Sequence, residues 1–274
     1  MSQTLFDPAA LAAHRARTER AGTVATFLHE IAADEVSERL VEVNRRFTDA
    51  VVIGPQAALW ADAVAPGARQ VAAAEVLDLA EGSADLIVHG LALHWAEDPV
   101  GQLVQMRRAL RPDGLMIAAM FGGQTLAELR TAFAEAETRV EGGLSPRVAP
   151  MGEIRDLGGL LQRAGFALPV ADSLPLKVDY ADPLALMRDL RAMGETNAMA
   201  ARRRGGLRRE TLGAVVETYF DQYARDDGRV LATFEIVFLT GWAPAENQQQ
   251  PLRPGSAKAR LADALKVPER PLDD

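Results

Sequence analysis

Hydrophobic residues along this chain fall into two kinds of run. Over residues 8–46, Phe27, Ile31, Val36, Leu40 and Val43 recur at helical spacing with charged residues between them, which predicts an N-terminal helical lead-in. Ala50-Val51-Val52-Ile53 then forms a short continuous apolar run, the mark of a strand buried on both faces. A helix is predicted at 56–65, ended by Pro66-Gly67, followed by a short strand near 70–74. Leu86-Ile87-Val88 predicts a second buried strand ending at His89-Gly90, and a helix follows over 99–110. Arg111-Pro112-Asp113-Gly114 reads as a turn, and LMIAAMFGG as a further strand.

Helices are predicted at 124–138 and 152–164, with the irregular stretch EGGLSPRVAPMG between them. Residues 167–180 and 229–244 are extended and suited to pair antiparallel at one sheet edge, with a helical insertion over 182–226 capping the carboxyl ends of the strands. The alternation predicts an α/β protein with a mostly parallel, Rossmann-like sheet. Three parts are expected: a lead-in at 1–46, a main domain at 47–244, and a Pro-rich, mostly flexible tail at 245–274 with one short helix at 256–265.

Composition narrows the chemistry. A net charge of −8 disfavours nucleic acid and anionic membranes as general partners. The Arg202–Arg209 island, with Arg202, Arg203, Arg204, Arg208 and Arg209, is a local exception, read as a solvated helix face or a phosphate or partner site. With no cysteine, thiolate chemistry is absent. His14, His29, His89 and His94 show no helical metal-type pairing, so no metal site is expected. The opening residues lack an apolar leader and no run is long enough to span a bilayer, which predicts a cytoplasmic location.

Several longer stretches are more specific: ADLIVHGLALHWAEDP, ALRPDG, MFGGQTLAELR, EGGLSP, DLGGLLQRAGF, DLRAMGETNA and ATFEIVFLTGWAP. In this order they resemble the methyltransferase-like family of mitochondrial complex I assembly factor 5 and its α-proteobacterial relatives. That family is itself similar to the malonyl-carrier-protein O-methyltransferases of biotin synthesis. The resemblance implies a class I methyltransferase fold and S-adenosylmethionine as cofactor. It also implies a protein or small acidic substrate, with a respiratory-complex subunit as the possible partner.

In such folds the first strand leads into a D-x-G-x-G-x-G-like turn. Its glycines let backbone N–H groups approach the methionyl end of the cofactor. On this sequence the acid falls at Val52, Gly54 is retained, and the other glycines fall at Gln56 and Ala58. Between Gly54 and Asp85 there is too little chain for the further βα unit that usually supplies a ribose-binding acid, so one unit is shortened. The adenine-side stretch falls at Ala73-Ala74-Glu75, where Glu75 alone matches. These departures predict weak or absent cofactor binding by the usual contacts, with Gly54, Glu75, His89, His94 and Trp95 as the residues left to make any.

On the substrate or partner side the candidates are Phe121, Thr125, Glu128, Arg130, Arg139, Glu141, Ser145, Glu195 and Asn197. Their competing readings are structural: Thr125 as a helix cap, Glu128 and Arg130 as a surface pair, the Arg139–Ser145 loop as a turn, and Glu195 and Asn197 as helix caps. No catalytic triad or carboxylate pair follows from spacing. Three functions remain open at this level: a methyltransferase, a non-catalytic assembly or binding factor that has lost the cofactor, and a protein arginine hydroxylase.

Overall fold

The computed structural model describes residues 4–22, 24–246 and 248. The helix expected at 256–265 lies outside them. Helices α1 (Pro8–Ala21) and α2 (Phe27–Val43) precede the sheet. The Asp7 carboxylate caps α1 by accepting from the Ala10 N–H, Pro8 stands at its start, and Gly22 ends it in the left-handed region.

The remaining elements are β1 (Ala50–Ile53), α3 (Ala57–Val64), β2 (Arg69–Val71), β3 (Ala84–Gly90), a 3₁₀ turn (Leu93–Trp95), α4 (Pro99–Ala109), β4 (Leu110–Phe121), α5 (Ala127–Glu141), α6 (Ile154–Arg163), β5 (Ala167–Tyr180), α7 (Pro183–Met193), α8 (Arg209–Tyr223) and β6 (Val230–Trp242). They build a six-stranded sheet in the order β2-β1-β3-β4-β6-β5. β1 to β4 run parallel, and β6 lies antiparallel between β4 and the edge strand β5. The architecture is therefore the mixed α/β, Rossmann-like one that the apolar runs predict.

Alternation along the strands divides the core in two. Val52, Val88 and Ile117 point to the face covered by α2, α3, α5 and α8. Val51, Ile53, Ile87 and Met116 point to the other, covered by α4 and α6. Only three residues, Arg69–Val71, form a strand beside β1 on its outer side. Ala73, Ala74 and Glu75 fall after it rather than within it, because the chain leaves the sheet at Val71.

Three local expectations are corrected. Arg111–Gly114 does not separate a helix from a strand; it is a bulge inside β4, where Ala84 pairs with Leu110 and Leu86 with Leu115, and Asp113 takes a φ of 64°. The arginine island is not a helix face, since Ala201–Leu207 form an irregular link between α7 and α8. The carboxyl ends are approached by residues 195–199, just after α7, whereas α8 lies against α5 and β6, with the Tyr219 hydroxyl donating to the Leu231 carbonyl.

The tightest approach in the sheet is at Gly54, whose φ is +131°. A Cβ placed there would stand 2.5 Å from the Gly90 carbonyl oxygen, and a Cβ on Gly90 would stand 2.5 Å from the Trp60 ring. Gly54→Ala should therefore destabilise the fold by about 2–4 kcal/mol, overpacking and backbone strain acting together. Urea unfolding measures this, and an unchanged midpoint would show that the β1–β3 approach is looser than described.

Candidate functional site

The carboxyl ends of β1, β3 and β4 bring Gly54, His89-Gly90 and Phe121 to one edge of the sheet, where open α/β folds place ligands. At β1 the backbone passes from buried, aliphatic Val52 through Gly54 to Gln56, which enters α3 with a left-handed φ of 56° and no side-chain cap. Trp60, one turn further on, is fully buried, and its Nε1 donates to His29 Nδ1 at 2.9 Å. The accepting Nδ1 must be unprotonated. Burial holds His29 neutral, with its pKa lowered to about 4 despite the opposing Glu195 charge.

His89 is completely buried at the end of β3, with the Gln102 side chain as its polar neighbour. Burial lowers its pKa to about 4 as well. Arg15 of α1 places Nε and Nη2 in the interior, and its charge is felt at Glu195, His29 and His89. Histidine and arginine side chains from α1, α2 and β3 thus form a buried polar cluster, in which Arg15 Nε and Nη2 have no partner among the described residues.

The next layer is organised by Glu195, just beyond the Gly194 cap of α7. Its Oε2 accepts from Trp95 Nε1 at 2.7 Å and lies 3.2 Å from His94 Nε2. Burial opposes ionisation of Glu195, but the His94 and Trp95 hydrogen bonds and the Arg15 charge outweigh it and hold the carboxyl below its ordinary value. Phe6 packs edge-on against Trp95 at 5.1 Å, while the backbone N–H groups of Leu5 and Phe6 donate to the Glu97 carboxylate. A short bridge between Phe6 and Met199 completes this closure.

Beside Glu195 is a cavity of about 270 Å³, walled by Trp95, Phe121, Leu129, Phe133, Met187 and Phe234. Both hydrogen bonds to Glu195 fall on Oε2; Oε1 has none among the described residues, although the residue lines the cavity. The other charged side chain in the wall, Arg147, forms an ion pair with buried Glu137 and lies 5.4 Å from the Phe133 ring centre. Its charge is already matched.

Of the candidates read from the sequence, Trp95, Phe121, Thr125, Glu195 and Asn197 converge on this cavity, and His94 supports it from behind. Thr125 is not a helix cap; it exchanges hydrogen bonds with the Glu235 backbone at 3.1 and 3.0 Å, because α5 starts only at Ala127. Glu128 and Arg130 are not a surface pair. Buried Glu128 accepts from the Thr233 backbone and hydroxyl, and Arg130 donates to the Gly123 and Thr125 carbonyls. Nor do the side chains of Glu195 and Asn197 cap α7, whose end is closed by Gly194; the Asn197 amide donates to the Pro146 carbonyl at 2.7 Å.

The rest are placed elsewhere. Glu75 is exposed and accepts from the Glu97 backbone. Arg139 pairs with Glu217 on the surface, Glu141 binds Arg203 and Thr211, and the Ser145 N–H donates to Glu137. In the arginine island, Arg202 pairs with Asp7 at 2.8 Å and Arg203 with Glu141, so both tie chain segments together. Spacing could not disclose Phe6, Arg15, His29, Trp60 or Arg147, whose roles arise only from contacts across the fold. Among the described residues no three His, Cys, Asp or Glu side chains converge as a metal ion would require.

With this geometry in view, residues 29–118 match a methyltransferase domain family. The chain is 41% identical over 193 residues to the zebrafish (Danio rerio) protein named arginine-hydroxylase NDUFAF5, mitochondrial, covering 70% of this chain and 60% of that protein. It is 41% identical over 202 residues to the human protein of the same name, covering 74% and 58%. A malonyl-[acyl-carrier protein] O-methyltransferase from Laribacter hongkongensis is 40% identical over 181 residues, covering 66% and 58%. The chain spans about three-fifths of the length of these curated relatives. No helix among the described residues is long and apolar enough to cross a membrane.

The two buried histidines set a pH dependence. Their pKa values of about 4 lie below the ordinary 6.5, so between these limits the unfolded chain binds more protons than the folded one. Stability should be complete above pH 6.5 and fall as the pH drops toward 4. Thermal melts across that range should show a shallower loss for His89→Leu than for the parent chain, and identical slopes would remove His89 from the titrating set.

Proposed function

The chain belongs to the class I methyltransferase superfamily, and from that premise we propose that it binds a protein partner by taking a cationic side chain into the cavity beside Glu195. On this reading it is an assembly or modification factor that does not hold S-adenosylmethionine through the usual glycine turn. The observation that carries it is the half-engaged carboxylate: Oε2 of Glu195 is fixed by Trp95 and His94, Oε1 is unpaired, and aromatic rings wall the space. A guanidinium suits such a place because it donates to carboxylate oxygens and stacks on aromatic faces while its alkyl stem contacts apolar walls. The name arginine-hydroxylase borne by the relatives supports arginine as the guest, and the family resemblance supports a respiratory complex I subunit as its owner.

The β1 turn does not fit the methionyl end of the cofactor. Val52 offers no carboxylate for the amine. Gln56 and Ala58 carry side chains where glycines would admit a ligand to the backbone. Lost polar contacts of about 1–3 kcal/mol each would together weaken binding by powers of ten.

A second reading, a methyltransferase that holds its cofactor by other contacts, is favoured by one specific observation. Arg15 Nε and Nη2 and His94 Nδ1, buried near the same sheet edge, have no hydrogen-bond partner among the described residues. Arg15 could meet a carboxylate there, and buried polar groups without partners are costly unless something satisfies them.

Calorimetry separates the two. Titration with S-adenosylmethionine should give neither heat nor thermal shift at millimolar ligand, whereas micromolar binding would establish the second reading. An arginine-containing peptide from the partner subunit should bind at least about tenfold more tightly than its citrulline counterpart, which keeps the shape and loses the charge. Glu195→Gln should erase that difference; if the preference survives, Glu195 is not the receptor.

A further inference from the structure

We propose that α1 and α7 carry a docking surface for an acidic polypeptide segment of a partner protein, formed by Arg17, Arg20 and Arg191. The two helices pack together, with the Thr18 hydroxyl donating to the Arg191 carbonyl at 3.1 Å and Arg15 packed on Gly194. This packing sets Arg17 near the charges of both Arg191 and Arg20. Burial first, and then the charges of Arg191 and Arg20, lower the pKa of Arg17. His14 reports the same field: burial lowers it most, followed by Arg17, with Arg202 and Arg191 adding to the effect.

Several arginines elsewhere in the fold meet carboxylates: Arg39 meets Glu35 and Asp172, Arg45 meets Asp113, Arg111 meets Asp49, and Arg147 meets Glu137. Here no carboxylate answers. Arg17 Nη2 donates only to the Thr196 hydroxyl at 3.3 Å, and its buried Nε has no partner. Arg20 Nε donates to the Ala16 carbonyl of its own helix, and no ion pair or side-chain hydrogen bond engages Arg191 among the described residues. Arg202, on the same side, is already bound to Asp7. The carbonyl ends of both helices offset some of the repulsion, since Arg20 and Arg191 stand in their last turns.

In a chain of net charge −8, an uncompensated cationic group of this kind attracts anions selectively. Arg20 and Arg191 are exposed on separate helices, with Arg17 between exposed and buried. Separated guanidiniums fit carboxylates spaced along a peptide better than one compact anion. Thr196 links this surface to the cavity: its hydroxyl accepts from Arg17, its carbonyl meets His14, and its own residue lines the cavity wall. The surface stands whether or not the Glu195 cavity takes an arginine, because none of its three arginines lines that cavity.

The test uses the full chain and a fluorescein-labelled oligoglutamate peptide, followed by anisotropy at low and high salt. Binding should weaken with added salt, and the Arg17→Gln/Arg191→Gln variant should lose about tenfold or more in affinity. Its melting temperature should equal or exceed that of the parent, because removing mutually repelling charges relieves the fold. The exposed Arg20→Gln change should give a smaller loss of affinity with an unchanged melting temperature. Equal affinity in the double variant, or a lowered melting temperature, would overturn the proposal. So would competition by inorganic phosphate at the same concentration as peptide, or equally strong arginine-dependent binding to phosphatidylglycerol vesicles.

Discussion

The hydrogen bonds from Trp95 and His94 to Glu195 hold the ligand edge of this molecule together. They tie the end of α7 to the turn after β3, across 100 residues of chain. Through Trp95 they support Phe6 and the N-terminal strap, and through Glu195 they set one wall of the cavity. A buried carboxylate is expensive unless its charge is answered by hydrogen bonds and opposite charge, and here indole, imidazole and the nearby guanidinium answer it. Loss of any one would leave the others buried with unmet requirements.

A second constraint acts one strand away. Gly54, Gly90 and Trp60 are packed so closely that the turn after β1 serves sheet closure, and the Trp60–His29 bond then seals α2 to α3. Gly54 leaves no room for a side chain against the neighbouring strand. Nearby, Arg15 of α1 holds two buried nitrogens without partners among the described residues. The two sides of the carboxyl edge therefore differ in character: a close-packed β1 side, and a β4 side with an aromatic cavity.

Much of this architecture was legible from pattern. The apolar runs at Ala50–Ile53 and Leu86–Val88 located the central strands, because a strand covered on both faces has no reason to alternate. Residues 167–180 and 229–244 were legible as a pair because both are extended and close in length. The Arg111–Gly114 bulge was not legible. A Pro-Asp-Gly sequence looks the same in a connecting turn and inside a strand, and only the neighbouring register of β3 distinguishes them. The contacts of Thr125 and Glu128 were not legible, because their partners, Glu235 and Thr233, arrive from a strand more than a hundred residues away.

By itself, the sequence determined what depends on neighbours in the chain: the periodicities of helix and strand, the absence of cysteine chemistry, and the ancestry carried by its longer motifs. It also determined that Val52, Gln56 and Ala58 stand along the passage from β1 into α3. Only the tertiary structure decided what that turn is used for, since the Gly54–Gly90 approach depends on strand register and on the Trp60 ring. The assembly of Glu195 with His94 and Trp95, and of Arg17 with Arg191, was likewise decided there. Hydrogen bonds and charge act over a few ångströms in space, and sequence separation carries no measure of that distance.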